Sequence, residues 1–89
     1  MKEKPRFRED HLVEDEELRI LTLHNDDVHT FDYVIEALVD ICQHEMTQAE
    51  QCTMIVHFKG RCSVKEGLFK ELKPMKDRLL GKELNATID

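Results

Sequence analysis

The clearest succession of structural signals in the chain lies at residues 18–34, which read LRILTLHNDDVHTFDYV. Residues 18–23 are rich in aliphatic side chains that partly alternate with polar ones, and this pattern predicts a strand. Residues 24–27, HNDD, predict a turn, because Asn and Asp side chains hydrogen-bond to nearby backbone N–H groups. Thr30 can cap a following helix, since its hydroxyl can accept from that helix's first turn. The stretch therefore predicts a strand, a polar turn and a helix in direct succession.

Two helices are predicted after this turn. The first has one apolar face at helical spacing, which consists of Phe31, Val34, Ile35, Leu38, Val39 and Cys42. Residues 47–50, TQAE, have the form of a capping box, in which Thr47 and Glu50 satisfy each other's backbone donors, and they predict the start of the second helix. Its apolar stripe is Ala49, Cys52, Thr53 and Val56. Gly60 is expected to end it.

The last third of the chain predicts a strand, a helix and a strand. Residues 61–66 alternate, with Cys62 and Val64 on one face. The third helix has the stripe Leu68, Leu72, Met75 and Leu79, and Gly81 is expected to stop it. Pro74 should bend this helix or mark its effective start. Residues 84–88 form a third strand with Leu84, Ala86 and Ile88 on one face. The order β-α-α-β-α-β predicts an α+β fold of two layers, a three-stranded antiparallel sheet packed against three helices.

Length and charge narrow the class of protein. The chain has 89 residues and a formal net charge of −6, so it fits one domain. Residues 1–16 are charged and predict a flexible tail, which leaves residues 17–89 as the folded domain. The acidic balance argues against nucleic acid and an acidic membrane surface as partners. No signal peptide or membrane-spanning run is visible, and the odd cysteine count indicates reduced thiols in a cytoplasm.

The chemically interesting residues are the turn and a distant histidine. Asn25, Asp26 and Asp27 are either an ordinary polar turn or a site for a cation, since their oxygens are acceptors that suit an ammonium group. His57 is either a surface or core histidine or a further acceptor. Cys42, His44, Cys52 and His57 lack the paired spacing of a metal site. No nucleophile motif or Gly-rich oxyanion turn is visible, so we expect no enzyme, no metal and no cofactor.

At this point the residues resemble a known family. The run from Leu23 to Asp27, then Phe31 and Val34, then residues 54–60, MIVHFKG, is similar to ClpS. ClpS proteins are bacterial adaptors that bring substrates to Clp ATPase-protease machines. The resemblance covers residues 19–88 and implies the same β-α-α-β-α-β fold. It also implies a function, the recognition of N-end rule substrates whose first residue is bulky and hydrophobic.

The resemblance assigns roles to particular residues. The free α-amino group would be held by Asn25, Asp26, Asp27 and His57. The first side chain would enter a hydrophobic pocket of Phe31, Val34, Thr53, Met54, Val56 and Leu84. Partners would be N-degron substrates and the N-terminal domain of a ClpA- or ClpC-like AAA+ unfoldase. The alternative is a non-enzymatic protein–protein interaction module of the same topology without N-terminal residue recognition.

This chain departs from the family pattern next to the turn and in the pocket. Val28-His29-Thr30 stands where members often have a Thr-Pro pair, and Phe31 and Thr53 stand where Met is common. These departures concern the preference for the first side chain rather than the ammonium site.

Overall fold

The sequence of six elements is the predicted one. The computed structural model describes residues 17–89; the predicted flexible tail, residues 1–16, lies outside the described residues. The elements are β1 (Leu18–His24), α1 (Phe31–Cys42), α2 (Met46–Lys59), β2 (Arg61–Leu68), α3 (Phe69–Gly81) and β3 (Asn85–Ile88). The strands form one antiparallel sheet in the order β2-β1-β3. The predicted α+β fold is therefore confirmed.

The core lies between the sheet and the helices. Leu21 and Leu23 point inward from the central strand β1, whereas Ile20 is on the open face and exposed. The largest fully buried side chains come from β1, α1 and α3: Leu21, Leu23, Leu38, Cys42, Leu72 and Leu79. Burying each leucine stabilises the fold by roughly 1.5–3 kcal/mol. None of the described helices is long and apolar enough to cross a bilayer.

The pairing of β1 with β2 contains one irregularity. Leu21 lies opposite Lys65 but Thr22 lies opposite Ser63, so Val64 is an extra residue in β2, a β-bulge. The Val64 carbonyl accepts a hydrogen bond from Nε2 of the buried His44 at 2.6 Å. His44 therefore has a structural role in anchoring the loop between α1 and α2 to the sheet.

The predicted capping box at Thr47 and Glu50 is wrong. The cap of α2 is Glu45, whose carbonyl accepts from the Ala49 N–H at 2.9 Å, and no side chain caps the helix. The reason is the short connection. Gln43 ends α1 in a left-handed conformation with φ 60°, and His44 is held by β2. The chain then begins α2 at Met46, before Thr47 is reached.

Pro74 was predicted either to bend the third helix or to mark its effective start, and the helix starts before Pro74. It begins at Phe69, and Pro74 lies inside it, so the prediction that Pro74 marks its start is wrong. The signal at the true start is Glu71, whose carboxylate accepts from the Leu68 N–H at 3.0 Å and so satisfies one of the unpaired donors at a helix N-terminus. The helix ends at Gly81, as predicted, and Glu83 reverses the chain with φ 66°.

Candidate functional site

The sheet register brings the polar turn next to the end of α2. His24, the last residue of β1, lies opposite Arg61, and the Asn25 N–H continues this pairing by donating to the Gly60 carbonyl at 2.9 Å. Gly60 caps α2 with φ 93°, a conformation that favours glycine. His57 lies in the last turn of that helix. One backbone hydrogen bond thus holds Asn25 beside His57, although the two are distant in sequence.

The turn itself is ordered by the Asp26 carboxylate. Its Oδ1 accepts from the Val28 N–H at 2.9 Å and the His29 N–H at 3.1 Å. His29 Nδ1 lies 3.0 Å from Oδ1 and 2.9 Å from Oδ2. Partial burial raises the pKa of the Asp26 carboxyl, but the hydrogen bonds from Val28 and His29 outweigh burial and hold that pKa below its ordinary value of 3.8. Asp26 is therefore ionised at neutral pH.

A cavity opens beside this turn, between the turn, α1, α2 and the residue that precedes β3. Eight of the ten predicted site residues line it. On one side they form a polar wall of Asn25, Asp26 and His57, and on the other side an apolar wall of Phe31, Val34, Thr53, Val56 and Leu84. The cavity has a volume of about 30 Å³, which is room for about two water molecules.

The apolar wall comes from separate parts of the chain. Val56 and Leu84 are buried, and the Phe31 ring, at 39% exposure, contacts the His57 ring edge-on with centroids 5.1 Å apart. The Thr53 hydroxyl donates to the Ala49 carbonyl within α2 at 2.8 Å. Because that hydroxyl is bonded to its own helix, Thr53 offers the cavity mainly its methyl group.

Two predicted site residues lie outside the cavity. Asp27 is the last residue of the predicted turn, and it is exposed. Met54 is 49% exposed and belongs to a separate depression with Ile55 on the opposite side of α2. At 3.6 residues per turn, Met54 points away from the side that carries Thr53 and Val56.

Four further residues line the cavity that were not predicted from the sequence: Leu23, His24, His29 and Thr30. The most informative is His29. A signal was present in the spacing, because Asp26 and His29 stand three residues apart across a predicted Asp-led turn, where a side chain can reach back to the carboxylate. Thr30 caps α1, as predicted, by accepting from the Tyr33 N–H at 3.1 Å.

Two of the three cysteines, Cys42 and Cys52, are buried. Burial raises the pKa of the Cys42 thiol to about 11. Burial, together with a hydrogen bond to Cys62, raises the pKa of the Cys52 thiol to about 12. The thiolate is the reactive and metal-binding form, and the raised pKa values disfavour that form at neutral pH. Within residues 17–89, no three His, Cys, Asp or Glu side chains come together to hold a metal ion.

The fold and the cavity define a small α+β binding domain, with a pocket that is polar at one end and apolar at the other. The chain belongs to the ClpS family. The family model for the ATP-dependent Clp protease adaptor protein ClpS matches residues 14–87. The resemblance drawn from the sequence is therefore confirmed, and the class is that of a protease adaptor.

A comparison with solved structures agrees with this fold. The structure of Agrobacterium tumefaciens ClpS2 bound to L-phenylalaninamide matches with a TM-score of 0.70 and 23% sequence identity, over 83% of this chain and 96% of that chain. At this identity the similarity supports the shared architecture. No curated protein matches the sequence.

Proposed function

We propose that this protein is a non-enzymatic adaptor that binds the free α-amino group and bulky hydrophobic first residue of N-end rule substrates. It would deliver them, in the cytoplasm, to a Clp ATPase-protease through the N-terminal domain of a ClpA- or ClpC-like unfoldase. The observation that carries the proposal is the cavity, which joins Asn25 and His57 at its polar end to an apolar wall. A protein N-terminus is unique in offering an ammonium next to a free side chain.

The polar wall supplies the ammonium site. The side-chain oxygen of Asn25 and a neutral ring nitrogen of His57 are hydrogen-bond acceptors, and both residues line the cavity. The ionised Asp26 and the exposed Asp27 add negative charge beside them. Both oxygens of Asp26 already accept hydrogen bonds, so in this proposal Asn25 and His57 make the direct contacts and the aspartates act through their charge.

The apolar wall supplies the pocket for the first side chain. The cavity is small in this structure, at about 30 Å³, so a bulky first side chain is expected to displace part of the apolar wall. Phe31 is the member placed to move, because it is partly exposed and its ring rests edge-on against His57. The ligand of ClpS2, L-phenylalaninamide, has the chemistry that such a site would accept, a free α-amino group beside an aromatic side chain.

The energetics require both walls. A hydrogen bond to a charged group contributes roughly 1.5–3 kcal/mol, and burying a Leu or Phe side chain contributes roughly 1.5–3 kcal/mol. A micromolar complex needs about 8 kcal/mol. Since neither part alone reaches that value, the site should reject both acetylated N-termini and small first residues.

The test is a titration with matched fluorescent peptides that begin with Phe, Leu or Gly, each with a free and an acetylated N-terminus. We expect binding of the free Phe and Leu peptides only, and its loss in His57→Ala with the melting temperature preserved. Equal binding of the acetylated Phe peptide would refute ammonium recognition. Delivery is tested separately, by degradation of a Phe-initiated reporter with a ClpA- or ClpC-like unfoldase and its protease.

A second candidate function is favoured by the outer face of α2, which consists of Met54, Ile55 and Phe58. All three are exposed, and Phe58 is 73% exposed. Such a surface suits a protein–protein interaction module that does not recognise N-termini. If no free-amine peptide binds while Phe58→Ala abolishes a stable complex with the unfoldase, this second function is the correct one.

A further inference from the structure

The side chains of His29 and Asp26, at the edge of the cavity, make more hydrogen bonds than a turn needs to form. His29 and Asp26 are both partly buried, with side-chain exposures of 14% and 24%. Three hydrogen-bond donors converge on the carboxylate, namely the N–H groups of Val28 and His29 and the His29 ring. Because a carboxylate accepts hydrogen bonds only, His29 Nδ1 carries a proton, which fixes the orientation of the ring.

The His29 ring is also held from its other side. It stacks on the Tyr33 ring, with centroids 4.7 Å apart and an angle of 14° between the planes. The Tyr33 hydroxyl donates to the Lys82 carbonyl at 2.9 Å, and the Lys82 ammonium lies 5.8 Å from the centre of the Tyr33 ring, within cation–π range. Lys82 caps the end of α3.

These contacts form a continuous chain across the site. It runs from Asp26, in the polar wall, through His29 and Tyr33 to Lys82, which lies just before the reversal at Glu83. The residue after that reversal is Leu84, a member of the apolar wall. A single run of contacts thus connects the segment that reads the ammonium to the segment that shapes the pocket.

We infer that His29 is a positioning residue for N-terminal recognition. This inference rests on the proposed function and deepens it. His29 donates to Asp26 and so fixes the turn that presents Asn25, and it supports Tyr33, which braces the approach to Leu84. Asp26 then serves chiefly as the internal acceptor of His29 and supplies charge to the ammonium from a fixed position.

The decisive variants separate the hydrogen bond from the rest of the side chain. In His29→Asn the amide nitrogen can take the place of Nδ1 and donate to Asp26, whereas His29→Ala has no donor. Tyr33→Phe keeps the stacked ring and removes only the hydrogen bond to Lys82. Each variant is titrated with the free Phe-initiated peptide, and its melting temperature is measured alongside.

We expect His29→Ala to weaken binding about tenfold, the equivalent of one net hydrogen bond, and His29→Asn to restore most of that loss. Tyr33→Phe should weaken binding by a smaller factor of about three, because it disturbs only the far end of the chain of contacts. Equal binding by wild type and His29→Ala would overturn the inference, as would failure of His29→Asn to restore affinity. If His29→Ala does not fold, the inference is tested with His29→Asn and Tyr33→Phe. It is refuted if Tyr33→Phe binds the peptide as tightly as wild type while His29→Asn binds it weakly.

The same experiment distinguishes the two proposals. If wild type itself does not bind the free-amine peptide, the proposed function fails, and the inference fails with it. If wild type binds and the variants show no graded loss, only the role of His29 is rejected.

Discussion

Asn25 and Asp26, on the polar wall, are held in place by hydrogen bonds, whereas Val34, Val56 and Leu84, on the apolar wall, are held by packing. The polar wall depends on directional contacts, such as the Asn25 N–H to the Gly60 carbonyl at 2.9 Å. The apolar wall depends on the volumes of side chains from α1, α2 and the residue before β3. Hydrogen bonds weaken steeply with distance and angle, while packed apolar surfaces adapt to similar volumes. Under the proposed function, changes in the polar wall should therefore weaken binding of every first residue alike, and changes in the apolar wall should alter the preference among first residues.

The largest expected effect comes from truncating the polar wall at Asn25, and truncation of the apolar wall at Val34 is the comparison. Asn25→Ala should weaken binding of Phe- and Leu-initiated peptides alike, by roughly ten- to hundredfold, because it removes the charge-assisted hydrogen bond that, in the proposed function, every N-terminus would make. Val34→Ala should cost about fivefold and change the ranking of the two peptides, since it removes methyl groups that are partly packed against the core. Anisotropy titrations measure both. An Asn25→Ala variant that changed the ranking but not the overall affinity would reverse the comparison.

Filling the cavity is expected to have an effect no larger than the lower end of the range for Asn25→Ala. Thr53→Met should weaken binding of the Phe peptide by about tenfold and binding of the Leu peptide by less, because a longer side chain enters a confined space. Thr53→Val is the matched variant. Its peptide affinity should stay within about twofold of wild type. The Thr53 hydroxyl donates to the Ala49 carbonyl, so the variant loses only a hydrogen bond within α2.

Met54→Ala provides the control for this series. It alters the neighbouring residue on the opposite side of α2, so binding should stay within about twofold of wild type. A clear change of preference in Thr53→Val would show that the hydroxyl faces the bound side chain. A comparable change in Met54→Ala would place that residue in the pocket, as the resemblance to ClpS implied.

The smallest effect concerns pH and the stability of the polar wall. The pKa of Asp26 is lower in the folded protein than its ordinary value of 3.8, so its ionised form contributes to stability above about pH 4, and this contribution disappears as pH falls through the lowered pKa. Asp26→Asn keeps an acceptor but cannot ionise. It should lower the free energy of unfolding by about 1 kcal/mol at pH 7, and the difference from wild type should shrink towards pH 3.

Urea unfolding at several pH values measures this difference. Asp27→Asn is the control, because it removes the same charge from an exposed neighbour that takes no part in the Asp26 hydrogen bonds. A difference between wild type and Asp26→Asn that stayed constant down to pH 3 would show that ionisation of Asp26 does not support the turn.

Much of the fold was predictable because it is local. The strand, the turn and the Thr30 cap at residues 18–30 follow from side chains that act within a few residues of themselves. Gly60 and Gly81 ended their helices as predicted. The capping box at Thr47 failed because a non-local contact, from His44 to the Val64 carbonyl, holds the loop that precedes α2. The prediction that Pro74 marks the start of α3 was wrong, because the Glu71 carboxylate accepts from the Leu68 N–H and stabilises an earlier start.

The order of the elements and the polar turn can be read from the sequence, and the family can be read from its resemblance. Which residues share the cavity depends on the folded chain. The pairing of β1 with β2 brings Asn25 to the end of α2, and the helical rotation of α2 turns Thr53 inward and Met54 outward. The folded structure also shows His29 bound to Asp26 and stacked on Tyr33. These contacts depend on the orientation of the rings and on the Lys82 carbonyl, which is distant in sequence. Residue spacing along the chain cannot predict either of them.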